Sequence, residues 1–381
     1  MRRFALLGAA IVLAGAPLAG CTKATDQPGA PASPGDQPSV SPASSTPTAP
    51  APSSAAAQPS APASTPLAGA TATATATDAL LDWKPVPGNP ANTVTTDGAH
   101  TLTVGQQGDW WSLTGPGLSG GRTRAPAGFQ VATALLGSGW AVVVYQDPDG
   151  AKQERAVITA LASGTTHTLD RTSDLPPSTD GSWALDGTTL WHATDHAGAY
   201  CLASTDLASM SSTLGWCAPP RHGFTNVLAA DGTTSMMTFD DSQPSCRTVV
   251  TVEGTRTTPY PGVTACKGAE GVVLGADSRV WSIVPDEHRY QQVHVYATTA
   301  AGVTDLGPGV NSTLTRCGGS AYWARDAGSG SPGALMRWDG AQLTVAYRAK
   351  GFLSQPQCAD GHLTLVDSSD SGDRQLSAAA G

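Results

Sequence analysis

Residues 224–260, FTNVLAADGTTSMMTFDDSQPSCRTVVTVEGTRTTPY, decide the fold. Four apolar or β-branched runs stand in this stretch: Phe224 to Ala230, Thr234 to Phe239, Arg247 to Val252 and Arg256 to Tyr260. Asp231-Gly232, an Asp/Ser/Pro segment and Glu253-Gly254 separate them. Runs of this length between Gly, Asp, Ser and Pro punctuation read as four strands joined by hairpins. From Asp78 onward no sustained helical period competes with this pattern, which predicts an all-β domain.

The same unit recurs. One turn signal appears as Asp97-Gly98, Ser138-Gly139, Asp186-Gly187, Asp231-Gly232, Glu270-Gly271, Gly318-Gly319 and Asp360-Gly361, at spacings of 39 to 48 residues. A second marker, an apolar run ending in aspartate, falls at Asp147, Asp195, Asp240, Asp286, Asp326 and Asp367, spaced by 40 to 48 residues. In the first unit Gln106 or Asp109 stands where that aspartate would be. A period of this size belongs to four-stranded propeller blades, so two markers in phase predict a seven-bladed β-propeller of antiparallel blades. The last unit stops after a third strand, about Arg374 to Ala379, and Leu80 to Val86 precedes the first unit's innermost strand. That N-terminal segment is expected to supply the missing strand and close the ring.

Closure by strand exchange resembles that of WD40-type and TolB-type propellers, at the level of architecture and across the whole folded domain. The Gly-His and Trp-Asp signatures of WD40 repeats do not recur from unit to unit: each pair occurs once, as Gly361-His362 and Trp338-Asp339. A shared fold carries no function with it.

The first residues say where such a domain would work. Arg2 and Arg3, an apolar run from Phe4 to Ala16, and Leu18-Ala19-Gly20-Cys21 resemble the lipobox of bacterial lipoprotein precursors. The run is shorter than the roughly 20 residues of a membrane span and has the order of a cleaved export signal. The resemblance implies a signal peptide over 1–20, lipid on Cys21, and a membrane-anchored protein on the extracytoplasmic face. More than one acyl chain gives stable anchoring where one gives only marginal binding. Residues 22–77 are almost wholly Ala, Pro, Ser, Thr, Gly and Gln, so residues 21–77 read as a disordered tether. Thr71, Thr73, Thr75 and Thr77 look like an O-glycosylated stalk. The propeller domain is then 78–381.

Six further cysteines, Cys201, Cys217, Cys246, Cys266, Cys317 and Cys358, form an even set without a Cys-x-x-Cys, which reads as disulfides rather than zinc. Nearest neighbours are expected to pair: 201 with 217, 246 with 266, and 317 with 358. The register of the third unit supports the first pair, because its third and fourth strands run antiparallel.

A net charge of −9 argues against nucleic acid as a partner. Trp140, Trp191, Trp281 and Trp323 fall in second strands, where a large ring fills the wedge between blades. Trp110-Trp111 should place one ring inward and the other toward a neighbouring blade or solvent, where it could stack on a sugar. The aspartate series, Asp147, Asp195, Asp240, Asp286, Asp326 and Asp367, forms a candidate binding rim for a cationic partner or Ca²⁺, which takes 6 to 8 oxygen ligands. An aspartate that bonds its own backbone two residues on explains the same regularity without a ligand. No other cofactor or metal is implied.

The chain holds no His-Glu-x-x-His, no phosphate-binding Gly-x-x-x-x-Gly-Lys and no EF-hand loop. His192 and His196 read as two polar rim residues either side of a strand end. Ser178-Thr179-Asp180-Gly181-Ser182-Trp183 partly resembles the Asp-box of sialidase-type propellers, but occurs once. The sequence therefore favours a non-catalytic binding or scaffolding module with an envelope protein or glycan as partner. The alternatives are an extracytoplasmic carbohydrate-active enzyme using paired acids and a signalling lipoprotein that contacts a membrane sensor kinase.

Overall fold

The computed structural model describes residues 70–328 and 332–380; Leu18 to Cys21, expected as a lipobox, and most of the segment expected as a tether lie outside the described residues. The chain forms seven sheets, each built on strands that run from an inner A to an outer D. Blade 1 is Thr93–Thr96, Thr101–Val104, Trp110–Gly115 and Leu118–Arg124. Blade 2 is Gln130–Gly137, Trp140–Gln146, Arg155–Ala160 and Thr166–Leu169, and blade 3 is Trp183–Asp186, Thr189–His196, Ala199–Asp206 and Ser211–Cys217. Blade 4 is His222–Ala230, Thr233–Asp240, Arg247–Glu253 and Arg256–Pro259. Blade 5 is Gly268–Gly275, Ser278–Ile283, Gln292–Thr299 and Gly302–Val310, and blade 6 is Thr315–Cys317, Ser320–Arg325, Ala334–Trp338 and Leu343–Arg348. Blade 7 has a broken strand A, Phe352–Leu353 and Gln357–Ala359, followed by His362–Ser368 and Arg374–Ala379. This is the seven-bladed, four-stranded architecture that the repeat predicts. A 3-10 turn at Glu287–Arg289 is the one helical element among the described residues.

Burial explains the sequence pattern. Each blade is covered on both faces by its neighbours, so middle strands read as continuous apolar runs, as in Ala141 to Tyr145, rather than as alternation. The core is a set of slabs between adjacent blades: Leu102, Trp111 and Val143 between blades 1 and 2, and Val295, Trp323 and Met336 between blades 5 and 6. Trp281 and Trp323 are fully buried, as their second-strand positions imply. The outer strand of blade 1, Leu118–Arg124, is exposed and polar, whereas that of blade 6, Leu343–Arg348, is buried and apolar because a further strand lies on it.

Glycine turns between strands A and B do more than reverse the chain. Asp186 of blade 3 accepts from the N–H groups of Asp231 (3.0 Å) and Gly232 (2.6 Å) in the blade 4 turn. Asp360 of blade 7 accepts from the Ser138 N–H of blade 2 at 2.8 and 2.9 Å. Arg316 of blade 6 pairs with Asp231 of blade 4. These turns are thereby clasped to one another at one end of the ring. Glu270-Gly271, expected as the A–B turn of blade 5, lies instead inside its strand A, and the turn is Ala276-Asp277.

Lys84–Pro85 pairs antiparallel with Arg374–Ala379 and forms the outer edge of blade 7. The chain joins the ring earlier than Asp78, however. Ala72–Thr73 lies parallel on the outer strand of blade 5 and Thr77–Asp78 lies parallel on that of blade 6. Thr71, Thr73 and Thr77, read from sequence as stalk, are thus part of a belt from Thr71 to Val86 along three blades. Ala74 and Ala76 turn onto the apolar slab between blades 5 and 6.

Three disulfides are present: Cys201–Cys217, Cys246–Cys266 and Cys317–Cys358. The first joins strands C and D of blade 3 in register. The second links the start of strand C in blade 4 to the loop entering blade 5, and the third joins the inner strands of blades 6 and 7. Cys317–Cys358 closes the longest loop, with a sequence separation of 41. Chain entropy gives such a loop about 4 kcal/mol. Replacing both cysteines by alanine is expected to cost that much, read as a lower urea midpoint under oxidising conditions. A wild-type midpoint would mean that packing alone holds this seam.

Candidate functional site

The second sequence marker breaks down in blade 1, and there the structure has a shallow cavity of about 300 Å³. It is lined by Asn89 and Asn92 from the loop that enters blade 1, by Gln106, Gln107 and Asp109 from the B–C connection, and by Trp110 and Arg122. Local chemistry fixes each wall. The Gly108 N–H donates to Gly105 O at 2.8 Å, closing a tight turn whose two central residues, Gln106 and Gln107, are exposed. Gly108 has φ +67°, and a Cβ there would meet Val131 O at 2.7 Å, so glycine is required. A Cβ at Gly105 would lie 2.3 Å from the Trp110 indole nitrogen, so the missing side chain makes room for the ring. The Arg122 guanidinium sits 4.1 Å from the centre of that ring. On the other wall, Asn92 N–H donates to Asn89 O at 3.0 Å, and the Gln375 amide of blade 7 donates to Asn92 O at 3.2 Å. The tryptophan pair divides as alternation requires: Trp111 is buried and donates to the Tyr145 hydroxyl of blade 2 at 2.6 Å, while Trp110 is half-buried.

The aspartate rim does not converge. Asp147 accepts from the Ala151 and Lys152 N–H groups at 3.1 Å, Asp240 from the N–H groups of Ser242 and Cys246, and Asp286 from the His288 N–H at 3.0 Å. These are turn and cap roles. Asp367 is fully buried and accepts from the Tyr347 hydroxyl, Arg374, and the Lys350 and Gly351 N–H groups. Burial would raise its carboxyl, but these hydrogen bonds outweigh burial and hold it below the usual range. Asp195 and Asp326 are exposed. Among the described residues no three His, Cys, Asp or Glu side chains group to hold a metal ion, so the six do not form a shared Ca²⁺ site.

Sequence reasoning missed the buried acids. Glu154 is 3% exposed and accepts from the Trp183 indole at 2.6 Å and the Gly181 N–H at 3.2 Å. Loss of solvent, against those bonds and with Asp180 nearby, pushes it up to about 7. Glu270 accepts from the Leu314 N–H at 3.5 Å, and burial pushes it up to about 8. Both carboxyls fasten a loop that links two blades, and both are buried rather than open to a substrate. His192 is not a rim residue either. Strand B of blade 3 runs unbroken through His196, and His192 is buried against Trp183 with ring centres 5.2 Å apart. Burial drops its imidazole to about 4.

Gly115 to Gly121 contain the spacings Gly-x-Ser-x-Gly, at Ser119, and Gly-x-Gly-x-x-Gly. Both occur in the C–D hairpin of blade 1, not in the strand-to-helix turn that either chemistry needs. The Asp-box-like segment leads into blade 3, where Asp180 accepts from the Gln146 amide and Gly181 packs against Glu154 and Ala193. Its work is to seat the Glu154 loop.

No family model matches the chain and no curated protein matches it in sequence. Solved structures do. The β-propeller domain of the Trilobed protease from Pyrococcus furiosus is similar, with TM-score 0.53 and 10% identity over 75% of this chain and 94% of that one. Prolyl oligopeptidase B from Galerina marginata gives TM-score 0.49 at 9% identity over 78% of this chain, which spans 49% of that one. Acylaminoacyl peptidase from Pyrococcus horikoshii gives 0.43 at 12% identity over 65% of this chain and 46% of that one. The likeness to the Trilobed protease domain speaks for the propeller fold, and none of the three transfers an activity.

Proposed function

We propose that this chain is a cell-envelope lipoprotein, anchored through Cys21 on the extracytoplasmic face, whose propeller is a non-catalytic binding module. The observation that carries the location is the pairing of all six domain cysteines in disulfides, a habit of oxidising compartments. The Leu18-Ala19-Gly20-Cys21 lipobox agrees with it. Binding is supported by the polar cavity at blade 1, which carries one carboxylate, Asp109, where hydrolysis of a glycoside uses a pair.

The test of anchoring is labelling with a clickable fatty acid. The wild-type chain is expected to take label and sediment with membranes, and Cys21→Ala to lose both. An unlabelled, freely soluble wild type would overturn the anchor. For binding, a photocrosslinking residue at Gln107 should capture a discrete envelope component in intact cells. The same probe at Gly187, on the clasped end of the ring, should not. Equal, diffuse labelling from both positions would count against a binding face.

A further inference from the structure

Resting on the binding-module reading above, we infer that the blade 1 cavity takes a neutral carbohydrate, one or two sugar units held between the Gln106-Gln107 turn and the Asn89–Asn92 loop. Each sugar hydroxyl both donates and accepts, and the groups that do the same in return are carboxamides and other hydroxyls. Four of the seven lining residues, Asn89, Asn92, Gln106 and Gln107, are carboxamides. The remaining polar lining is one acid, Asp109, and one base, Arg122, so the wall carries no net charge. Half-buried Trp110, with Arg122 over one face, adds apolar ring surface of the kind that the C–H face of a sugar packs against.

Other ligand classes fit less well. A phosphate or carboxylate would have one guanidinium to meet it, already over the Trp110 ring, and would share the cavity with the Asp109 carboxylate. A hard cation would find one carboxylate. An apolar peptide anchor would meet amides where it needs hydrocarbon. At about 300 Å³ the cavity lies at the small end of ligand sites, enough for a terminal sugar or a disaccharide. The walls are also set before binding. Asn89 Oδ1 accepts the Ala91 N–H at 3.1 Å, the Gln375 amide pins Asn92, and the Gly105–Gly108 turn is closed by its own hydrogen bond. A preformed wall loses little freedom on binding.

The experiment is calorimetric titration of the full chain with N,N′-diacetylchitobiose, mannotriose and maltotriose, with trigalacturonic acid as the anionic control. At least one neutral sugar is expected to bind and the acid to bind more weakly. The double variant Gln106→Ala with Gln107→Ala removes two exposed side chains from a turn that the backbone closes, so it should fold normally and weaken binding by about tenfold. Trp110→Ala should weaken it as well, and a wild-type melting temperature for the double variant guards against misfolding as the cause. A preference for the acid, binding untouched by the double variant, or no binding across the panel would each overturn the sugar assignment. If the panel is silent while crosslinking from Gln107 still captures an envelope protein, the binding-module reading stands and only the ligand class fails. If both are silent, both fail.

Discussion

A chain that begins at Gly88 is expected to be largely unfolded or aggregated, whereas one that begins at Ala70 should melt like the full-length protein. The difference is the belt from Thr71 to Val86. Its backbone bonds Val303 O from Thr71 (2.8 Å), Asp305 O from Ala74 (2.9 Å), Val345 O from Ala79 (3.1 Å), Ala346 O from Leu81 (3.0 Å) and Gln375 O from Val86 (2.9 Å). Leu81 and Trp83 pack on the slab between blades 6 and 7, and the Trp83 indole donates to Ala346 O at 2.9 Å and stands edge-on to Tyr347. Asp78 pairs with Arg348. Losing two partly buried large side chains costs roughly 2 kcal/mol each, and five backbone bonds add about 0.5 to 1.5 kcal/mol apiece. A sum on the order of 5 kcal/mol or more consumes most of the 5 to 15 kcal/mol that holds a typical domain folded. The unpaired edge of Arg374–Ala379 would also be a template for association.

Intermediate truncations separate the parts. Starting at Ala79 removes the two parallel pairs over blades 5 and 6 but keeps Leu81, Trp83 and Lys84–Pro85; the cost should be about 1 to 2 kcal/mol. Chemical unfolding and size-exclusion chromatography of the three chains read the series directly. A chain from Gly88 that stays monomeric and melts within a degree or two of full length would show that the ring closes without its N-terminal strand. The belt also bears on mechanics. If Cys21 is lipidated, a pull applied at the Thr71 end of the belt loads its bonds to blade 5 before the fourth strand of blade 7.

The repeat was legible because each blade needs a glycine or asparagine-like turn between strands A and B and a run of apolar residues in strand B, and both needs are local. Where the reading failed, the deciding contact was not local. Glu270-Gly271 has the letters of a turn, yet Gly271 is there because Val249 and Tyr260 of blade 4 leave no room for a Cβ, and Glu270 because a loop 44 residues on needs an acceptor. The belt is not legible in sequence because Ala72 to Asp78 adds edge strands through backbone bonds and two small side chains, with a composition indistinguishable from that of the residues before it. His192 looked like a rim residue because nothing in its neighbourhood announces Trp183 above it. The cavity did leave a trace: the one blade whose B–C marker reads Gln106 or Asp109 is the blade that has it.

Raising the pH from 6.5 to 8.5 is expected to destabilise the domain by about 3 kcal/mol, and Glu270→Gln to remove about two-thirds of that slope. Glu270 is enclosed by its own strand and by the Ser312–Leu314 loop, and burial lifts it from 4.5 to about 8 against hydrogen bonds from the N–H groups of Leu314, Ser312 and Thr313. Glu154 rises to about 7, with Asp180 adding repulsion. A carboxyl whose folded value lies above its unfolded one favours the fold most when protonated. That contribution is complete below about pH 4.5 and drains away as pH climbs through the folded value. Between pH 6.5 and 8.5 the linkage relation assigns about 2 kcal/mol to Glu270 and about 1 to Glu154. His192 acts in the opposite sense and in a different window: lowered to about 4, it withdraws stability only as pH falls below its unfolded value of 6.5. Asp367 and Asp240, both held low, likewise weaken the fold only in acid. The alkaline limb therefore belongs to the two glutamates. Urea midpoints of wild type, Glu270→Gln and Glu154→Gln across this range isolate each share, since glutamine keeps a carbonyl acceptor for the loop N–H while abolishing the charge. A wild-type midpoint that is flat from pH 6.5 to 8.5 would mean that neither acid is desolvated in the fold, and that the loops they fasten are open to water.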